Sequence, residues 1–202
     1  MPGPETTMKS ARTPSSEVGR GDDAVAGDNP GTALPPGGGR GARSEAEKLR
    51  LLSVARSRIL EVQDAERFDR IVRYAREIFE VSSASIGVIT ADQQILFSVT
   101  GPLSRSVDRG DALCNVTIQD EHLLVVEDTH EDPRFSANAL VTGDPRIRFY
   151  AGCPLRGPGG WLIGTLCVID QRPRAFTAED QRVLRSLAAQ AELELNTPPV
   201  VE

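Results

Sequence analysis

The chain has 202 residues, a formal charge of −6 and an isoelectric point near 5.1, a balance that argues against nucleic acid as the partner, because phosphate contacts need a clustered basic surface. No run approaches the roughly 18 consecutive apolar residues of a membrane helix, and residues 1–30 lack the apolar stretch of a secretory signal. Three cysteines without an export signal predict reduced, buried thiols and a cytoplasmic protein.

Residues 1–42 are rich in Pro, Gly, Ser, Thr and Asp, and the first aromatic residue is Phe68. Nothing in that stretch offsets the entropy of ordering, so a disordered tail is expected. Its glycine run is not a phosphate loop, since no strand precedes it and no Gly-Lys-Ser/Thr follows. One domain is therefore expected over residues 43–196, with a short disordered tail at 197–202. That span is enough for one core and too short for two.

The string "SEAEKLRLLSVARSRILEV" predicts a helix over 44–62, with Ser44 as N-cap and Glu47 closing a capping box. A second helix is expected over 65–80, with Asp64 as a cap. Phe68, Ile71, Val72, Ala75, Ile78 and Phe79 form its apolar stripe. Two strands follow at 83–90 and 94–100, joined by a short turn at Ala91-Asp92-Gln93. Residues 101–121 fit either a short helix or irregular chain. "HLLVVED" (122–128) reads as a buried strand, and 129–146 as a polar loop punctuated by Asp132-Pro133 and Asp144-Pro145.

Residues 147–155 and 161–170 alternate as strands, with 156–160 as a hairpin loop. Symmetric closure pairs residues whose numbers sum to about 316. All odd-numbered residues then share one apolar face. Arg148, Tyr150, Gly152, Gly164, Leu166 and Val168 share the other. Glycine inside a strand marks close approach by a ligand or another backbone. The face with Tyr150, Gly152 and Gly164 is therefore assigned to a pocket, with tight helix packing as the alternative. A last helix is predicted over 178–196, with Thr177 as N-cap and Leu184, Leu187, Ala188, Ala191 and Leu195 facing inward. The order defines an α+β fold around a central, mostly antiparallel sheet of five or six strands.

Three strings, "FDRIVRYAREIFEVSSASIGVIT", "LLVVEDTHEDPRFSANALVTGDPRIRFYAGCPL" and "GWLIGTLCVIDQRPRAFTAEDQRVLRSLAAQ", resemble the GAF domain family over roughly residues 45–196. The resemblance implies a GAF/PAS-like sheet with N- and C-terminal helices on one face. It implies a small-molecule pocket roofed by loops on the other, and flanking helices that pair two protomers. Members bind cyclic nucleotides, linear tetrapyrroles, haem or small organic molecules, so the cofactor stays unknown.

The candidate ligand-binding residues are Cys114, Asp128, Asp132, Arg134, Phe135, Arg148, Tyr150, Gly152 and Gly164. The "DTHEDPRF" loop admits two readings. In one, Asp128, His130, Glu131 and Asp132 form a metal or ligand site. In the other, favoured here, Asp128 and Asp132 cap turns, Arg134 pairs with a carboxylate and Phe135 plugs the core. No metal is expected, because metal-binding histidines come with further ligands at regular spacing. Haem is not expected, since His130 lies on a loop. Bilin attachment would fall to Cys114 and is not expected either.

A related GAF-fold enzyme reduces free methionine sulfoxide with reactive cysteines. In the symmetric register Cys153 and Cys167 stand roughly 13 Å apart on one face, too far to bridge, while Cys114 with Cys153 stays open. No hydrolase, zincin or Walker motif is present. The expectation is a non-catalytic sensory or regulatory domain, binding a small molecule or a signalling partner as a homodimer through its flanking helices. Only "TPPVVE" follows residue 196, so its output is expected to pass to a partner protein. The alternatives are a thiol-based reductase dependent on Cys114 and a ligand-free interaction scaffold.

Overall fold

Residues 40–61 and 66–197 are those described by the structure, a computed structural model. They form α1 (Arg40–Ser57), α2 (Glu66–Ile78), β1 (Ser83–Ile89), β2 (Gln93–Thr100), β3 (Ser106–Asp108), α3 (Leu113–Thr117), β4 (Leu124–Val126), α4 (Ala139–Thr142), β5 (Phe149–Arg156), β6 (Leu162–Asp170) and α5 (Ala178–Asn196). The expected tail up to residue 39, the Asp64 cap and residues 198–202 lie outside the described residues. The strands make one antiparallel sheet in the order β3-β2-β1-β6-β5-β4. No helix among the described residues is long and apolar enough to cross a membrane.

One face of the sheet is covered by α2 and α5. The stripe Phe68, Ile71, Val72 and Ala75 of α2 is buried, as are Leu184, Leu187, Ala188, Ala191 and Leu195 of α5. Each large side chain buried in this way contributes roughly 1.5–3 kcal/mol. The Thr177 capping box forms as the sequence predicts, with the Thr177 side chain accepting from the Asp180 backbone. Ile78 is left half-exposed, because α2 ends there.

The β5–β6 register differs from the symmetric one. Pairs such as Gly152↔Cys167 and Cys153↔Leu166 sum to 319 along most of the hairpin, with an irregularity between Leu155 and Arg156. The cause is the turn, where Gly157 to Trp161 close asymmetrically and Gly159 and Gly160 take positive φ. The offset matters because side chains alternate between faces along a strand. Cys153 thus packs under the helices with Phe149, Ala151, Leu166 and Val168. Cys167 instead joins Tyr150, Ile169 and the cluster on the opposite face. The expectation that both cysteines share a face is therefore overturned.

Helix α1 also departs from the sequence reading. It starts at Arg40, so Ser44 lies inside it and is not an N-cap. Glu47 turns to Arg50 and Arg109 rather than back to the helix start. The helix stops at Ser57, where Arg58 adopts φ 52°, a left-handed conformation that ends helices. Polar contacts seat α1 on the body: Arg50 donates to the Ile89 carbonyl at 2.6 Å and Ser53 to the Pro158 carbonyl at 2.7 Å.

The ambiguous 101–121 region resolves into β3, which pairs with β2, and the short α3. The 129–146 loop is polar outside but carries buried Phe135 and Val141 into the second cluster. It also holds α4, which Asn138 caps by accepting from the Leu140 amide at 2.9 Å.

Candidate functional site

On the sheet face opposite α2 and α5, a cavity of about 70 Å3 is lined by Ser85 of β1, Gln94 of β2, Cys114 of α3 and Tyr150 of β5. The loops before β3 and after α4 roof it, through Leu103 and Pro145 among others. Ser85 pairs with Cys167 in the sheet, and Gly152 pairs with Cys167 from the other side. A Cβ at Gly152 would overlap the Tyr150 hydroxyl. The glycine therefore leaves the room into which the tyrosine side chain lies.

The cavity wall holds one buried thiol, Cys114, with a second, Cys167, directly behind it. Cys114 Sγ and Cys167 Sγ are 3.8 Å apart. Gln94 Nε2 donates to Cys114 Sγ at 3.1 Å, and the Tyr150 hydroxyl donates to the same sulfur at 3.4 Å. Ser85 Oγ lies 3.2 Å from Cys167 Sγ, and Thr117 Oγ1 lies 2.6 Å from the Tyr150 hydroxyl. Thr165, also buried, has a hydroxyl with no hydrogen-bond partner among the described residues.

These contacts divide the two thiols. The hydrogen bond with Cys167, helped by Thr165, Tyr150 and Gln94, outweighs burial and holds the Cys114 thiol at about 7, below its usual 9. The same bond, with burial and the charge on Cys114, pushes Cys167 well above the usual range. Burial, with a smaller push from the Glu192 charge, sends Cys153 the same way, to about 11. Of the paired thiols, Cys114 thus ionises first, the order that thiol–disulfide chemistry needs.

An ionic cluster next to the cavity ties it to α1. Arg109 donates to Asn115, the residue after Cys114, at 2.9 Å and to Glu47 at 2.6 Å. Partial burial raises the Glu47 carboxyl, but hydrogen bonds from Arg50 and Arg109 outweigh it and bring the group to about 2.

Of the candidate residues, the structure brings Cys114 and Tyr150 to the cavity. Asp128 and Arg148 form a bidentate ion pair, at 2.9 and 2.6 Å. The Arg148 hydrogen bonds hold the Asp128 carboxyl below its usual range. Asp132 and Arg134 pair at 2.6 Å beside Asp128, on an open surface groove that includes Glu127 and Glu131. Asp128 and Asp132 accept from the backbone amides of His130 and Arg134, as turn caps do. Phe135 is buried in the core. A Cβ at Gly164 would overlap the Gly87 carbonyl of β1; this glycine serves strand-to-strand approach, neither pocket nor helix packing. No group of His, Cys, Asp or Glu able to hold a metal ion occurs among the described residues.

The sequence reading missed Cys167, Gln94, Ser85 and Thr117. Cys167 was placed on the wrong face by the assumed hairpin register. The other three are small or neutral polar residues with no motif of their own; the sheet pairing brings Ser85 and Gln94 to the thiols, and the packing of α3 brings Thr117 to Tyr150.

A family model for the GAF domain matches residues 65–195. The chain belongs to the GAF domain family. A cyclic di-GMP phosphodiesterase of Pseudomonas aeruginosa is 37% identical over 135 residues, which is 67% of this chain and 23% of that protein. The chain thus spans under a quarter of the length of that curated relative.

Solved structures share the fold. The free methionine-R-sulfoxide reductase of Neisseria meningitidis, in complex with its substrate, aligns with TM-score 0.55 at 18% identity, covering 75% of this chain and 84% of its own. The type II enzyme of Thermoplasma acidophilum aligns at 0.54 and 16%, covering 74% and 94%. The GAF domain of an Acinetobacter phosphoenolpyruvate-protein phosphotransferase aligns at 0.53 and 18%, covering 73% and 92%. At these identities the likeness is one of fold. The expectation of a non-catalytic domain does not stand: the sequence relative is named as an enzyme, two of these fold neighbours are reductases, and a cavity-lining thiol lies 3.8 Å from a second thiol.

Proposed function

We propose that this GAF domain is a thiol-dependent reductase of a small sulfoxide. The observation that carries the reading is the Cys114–Cys167 pair, with sulfurs 3.8 Å apart and one member lining the cavity. The reductases among the fold neighbours support it as precedent for the fold. In the reaction, one sulfoxide and two thiols give the corresponding sulfide, a Cys114–Cys167 disulfide and one water, which carries away the sulfoxide oxygen. The two electrons come from the thiols, and an external dithiol returns them. Cys114 is the attacking thiolate, and Cys167 resolves the intermediate.

A single turnover without external reductant tests this. Reduced protein mixed with free methionine sulfoxide, or with dimethyl sulfoxide as the smallest probe, should yield one equivalent of sulfide and one Cys114–Cys167 disulfide. Cys114→Ser should yield neither, and Cys153→Ser should behave as the parent. Sulfide from Cys114→Ser at the parent's level, or none from the parent, overturns the reading.

A second reading, a sensory domain that binds a small regulatory ligand in the same cavity, is supported by the Pseudomonas relative, a cyclic di-GMP phosphodiesterase of which this chain matches only a part. A ligand at 100 times its Kd would add about 2.7 kcal/mol of stability. A thermal-shift screen in which no small molecule raises the melting temperature would count against it.

A further inference from the structure

Resting on the reductase reading, we propose that Tyr150 is the acid that protonates the sulfoxide oxygen, with Thr117 as the residue that positions its hydroxyl. Attack by the Cys114 thiolate on the sulfoxide sulfur leaves negative charge on the oxygen. Oxide is a very poor leaving group, so a buried proton donor must sit beside the attacking sulfur. Among the described residues, Tyr150 is the one that both lines the cavity and donates a hydroxyl to Cys114 Sγ, at 3.4 Å. The other polar neighbours are otherwise placed. Ser85 is taken up with Cys167, and Gln94 presents an amide, which does not give up its proton.

The surroundings of Tyr150 fit this work. Gly152 leaves the space that the hydroxyl occupies. Thr117 Oγ1, 2.6 Å away, donates to the phenol oxygen when the phenol donates to sulfur, and it steadies the phenolate left after transfer. Burial, and then the charge of the two thiols, pushes Tyr150 well above its usual range, so it keeps its proton while Cys114 is ionised. A proton donor within reach of the reacting centre is the first requirement of general acid catalysis, and the hydroxyl beside Cys114 Sγ meets it.

The steps balance. Cys114 releases its proton to solvent. The thiolate bonds to the sulfoxide sulfur as Tyr150 gives its proton to the oxygen, leaving a hydroxy-sulfurane and a phenolate. The Cys167 thiol protonates the hydroxyl, which departs as water and leaves a thiosulfonium on Cys114. The Cys167 thiolate then attacks Cys114 Sγ, forming the disulfide and releasing the sulfide, and the phenolate takes a proton from solvent.

The test compares two reactions of Cys114, one that needs an acid and one that does not. Full-length parent, Tyr150→Phe and Thr117→Val are assayed for reduction of free methionine sulfoxide and dimethyl sulfoxide, with dithiothreitol as reductant. The same proteins are assayed for alkylation of Cys114 by iodoacetamide. Tyr150→Phe should lower kcat about 100-fold with KM unchanged; its Cys114 alkylation should titrate at higher pH, since the Tyr150 hydrogen bond is lost, but reach the parent's rate once Cys114 is fully ionised in both. Thr117→Val, which keeps the ring, should show a smaller fall in kcat only. A parallel loss of both reactions makes Tyr150 structural and overturns the proposal, as does undiminished reduction by Tyr150→Phe. If the parent reduces neither sulfoxide, the reductase reading falls and takes the proposal with it, an outcome told apart because it needs no variant.

Discussion

The sulfur of Cys114, on a short helix, lies 3.8 Å from that of Cys167, on a central strand 53 residues later in the chain. A disulfide needs about 2.05 Å between sulfurs, so a small movement of α3 toward β6 closes it. Mild oxidation should give a Cys114–Cys167 bridge and leave Cys153 reduced. Peptide mapping under non-reducing conditions reads the connectivity. A bridge to Cys153 would contradict the register, which puts that residue under the helices.

The two faces should also titrate apart. Cys114 sits at about 7 and Cys153 at about 11. Thiolate absorbance followed against pH should show one step near 7 in the parent. That step should vanish in Cys114→Ser and survive in Cys153→Ser. Iodoacetamide should follow the same profile at Cys114.

Glu47 makes part of the stability depend on acid. Its folded value, about 2, lies below the ordinary 4.5. A depressed carboxylate stabilises the fold above its unfolded value, and that stability is lost as pH falls from there through the folded value. Because Glu47 is partly exposed, solvent screening reduces the effect to about 1 kcal/mol. Glu47→Gln should therefore cost about that much at neutral pH. Urea titrations should show the gap to the parent narrowing below pH 4.5 and toward pH 2. A gap that stays constant down to that pH would mean the carboxylate is not its source.

Thr165 offers a gain. While Cys114 carries its proton, the buried hydroxyl has no hydrogen-bond partner among the described residues, and an unmade hydrogen bond in the interior costs on the order of 1–3 kcal/mol. Thr165→Val keeps the shape and removes the group, so it should raise stability by about 1 kcal/mol. A loss in chemical denaturation would show that the hydroxyl is satisfied in solution, with the Cys114 thiolate as the acceptor it favours.

Two glycines of the hairpin should respond differently to alanine. Both Gly152→Ala and Gly164→Ala introduce overlap, and overpacking of this kind costs about 1–3 kcal/mol. Only Gly152→Ala presses on the Tyr150 hydroxyl, so it alone should move the Cys114 titration. The same titration shift from Gly164→Ala would count against this assignment.

The helices of the main face and the strands other than β3 were legible, most clearly where the apolar period is long and unbroken. Phe68 to Ala75 and Leu184 to Leu195 show this plainly. The thiol pair was hidden by one turn. Two positive-φ glycines in the 156–160 loop shift the register from the symmetric one, and a small offset moves Cys167 from one side of the sheet to the other. Ser44 looked like a helix start because its pattern is local, whereas Glu47 is claimed by Arg109, 62 residues away. The "DTHEDPRF" loop reads correctly as turn caps and a core plug, since short-range Asp-to-amide bonds are written in neighbouring residues.

Helix α1 rests on charge where α5 rests on oil. Its grip is Arg50 on a carbonyl, Ser53 on another and Glu47 on Arg109, with Val54 the apolar anchor, while α5 sinks five apolar side chains. Dissolved ions weaken the first kind of hold and leave the second intact. The N-terminal helix is thus the limb that answers to the ionic composition of its surroundings, and Arg109, which also holds Asn115, is the wrist through which that answer reaches the neighbour of Cys114.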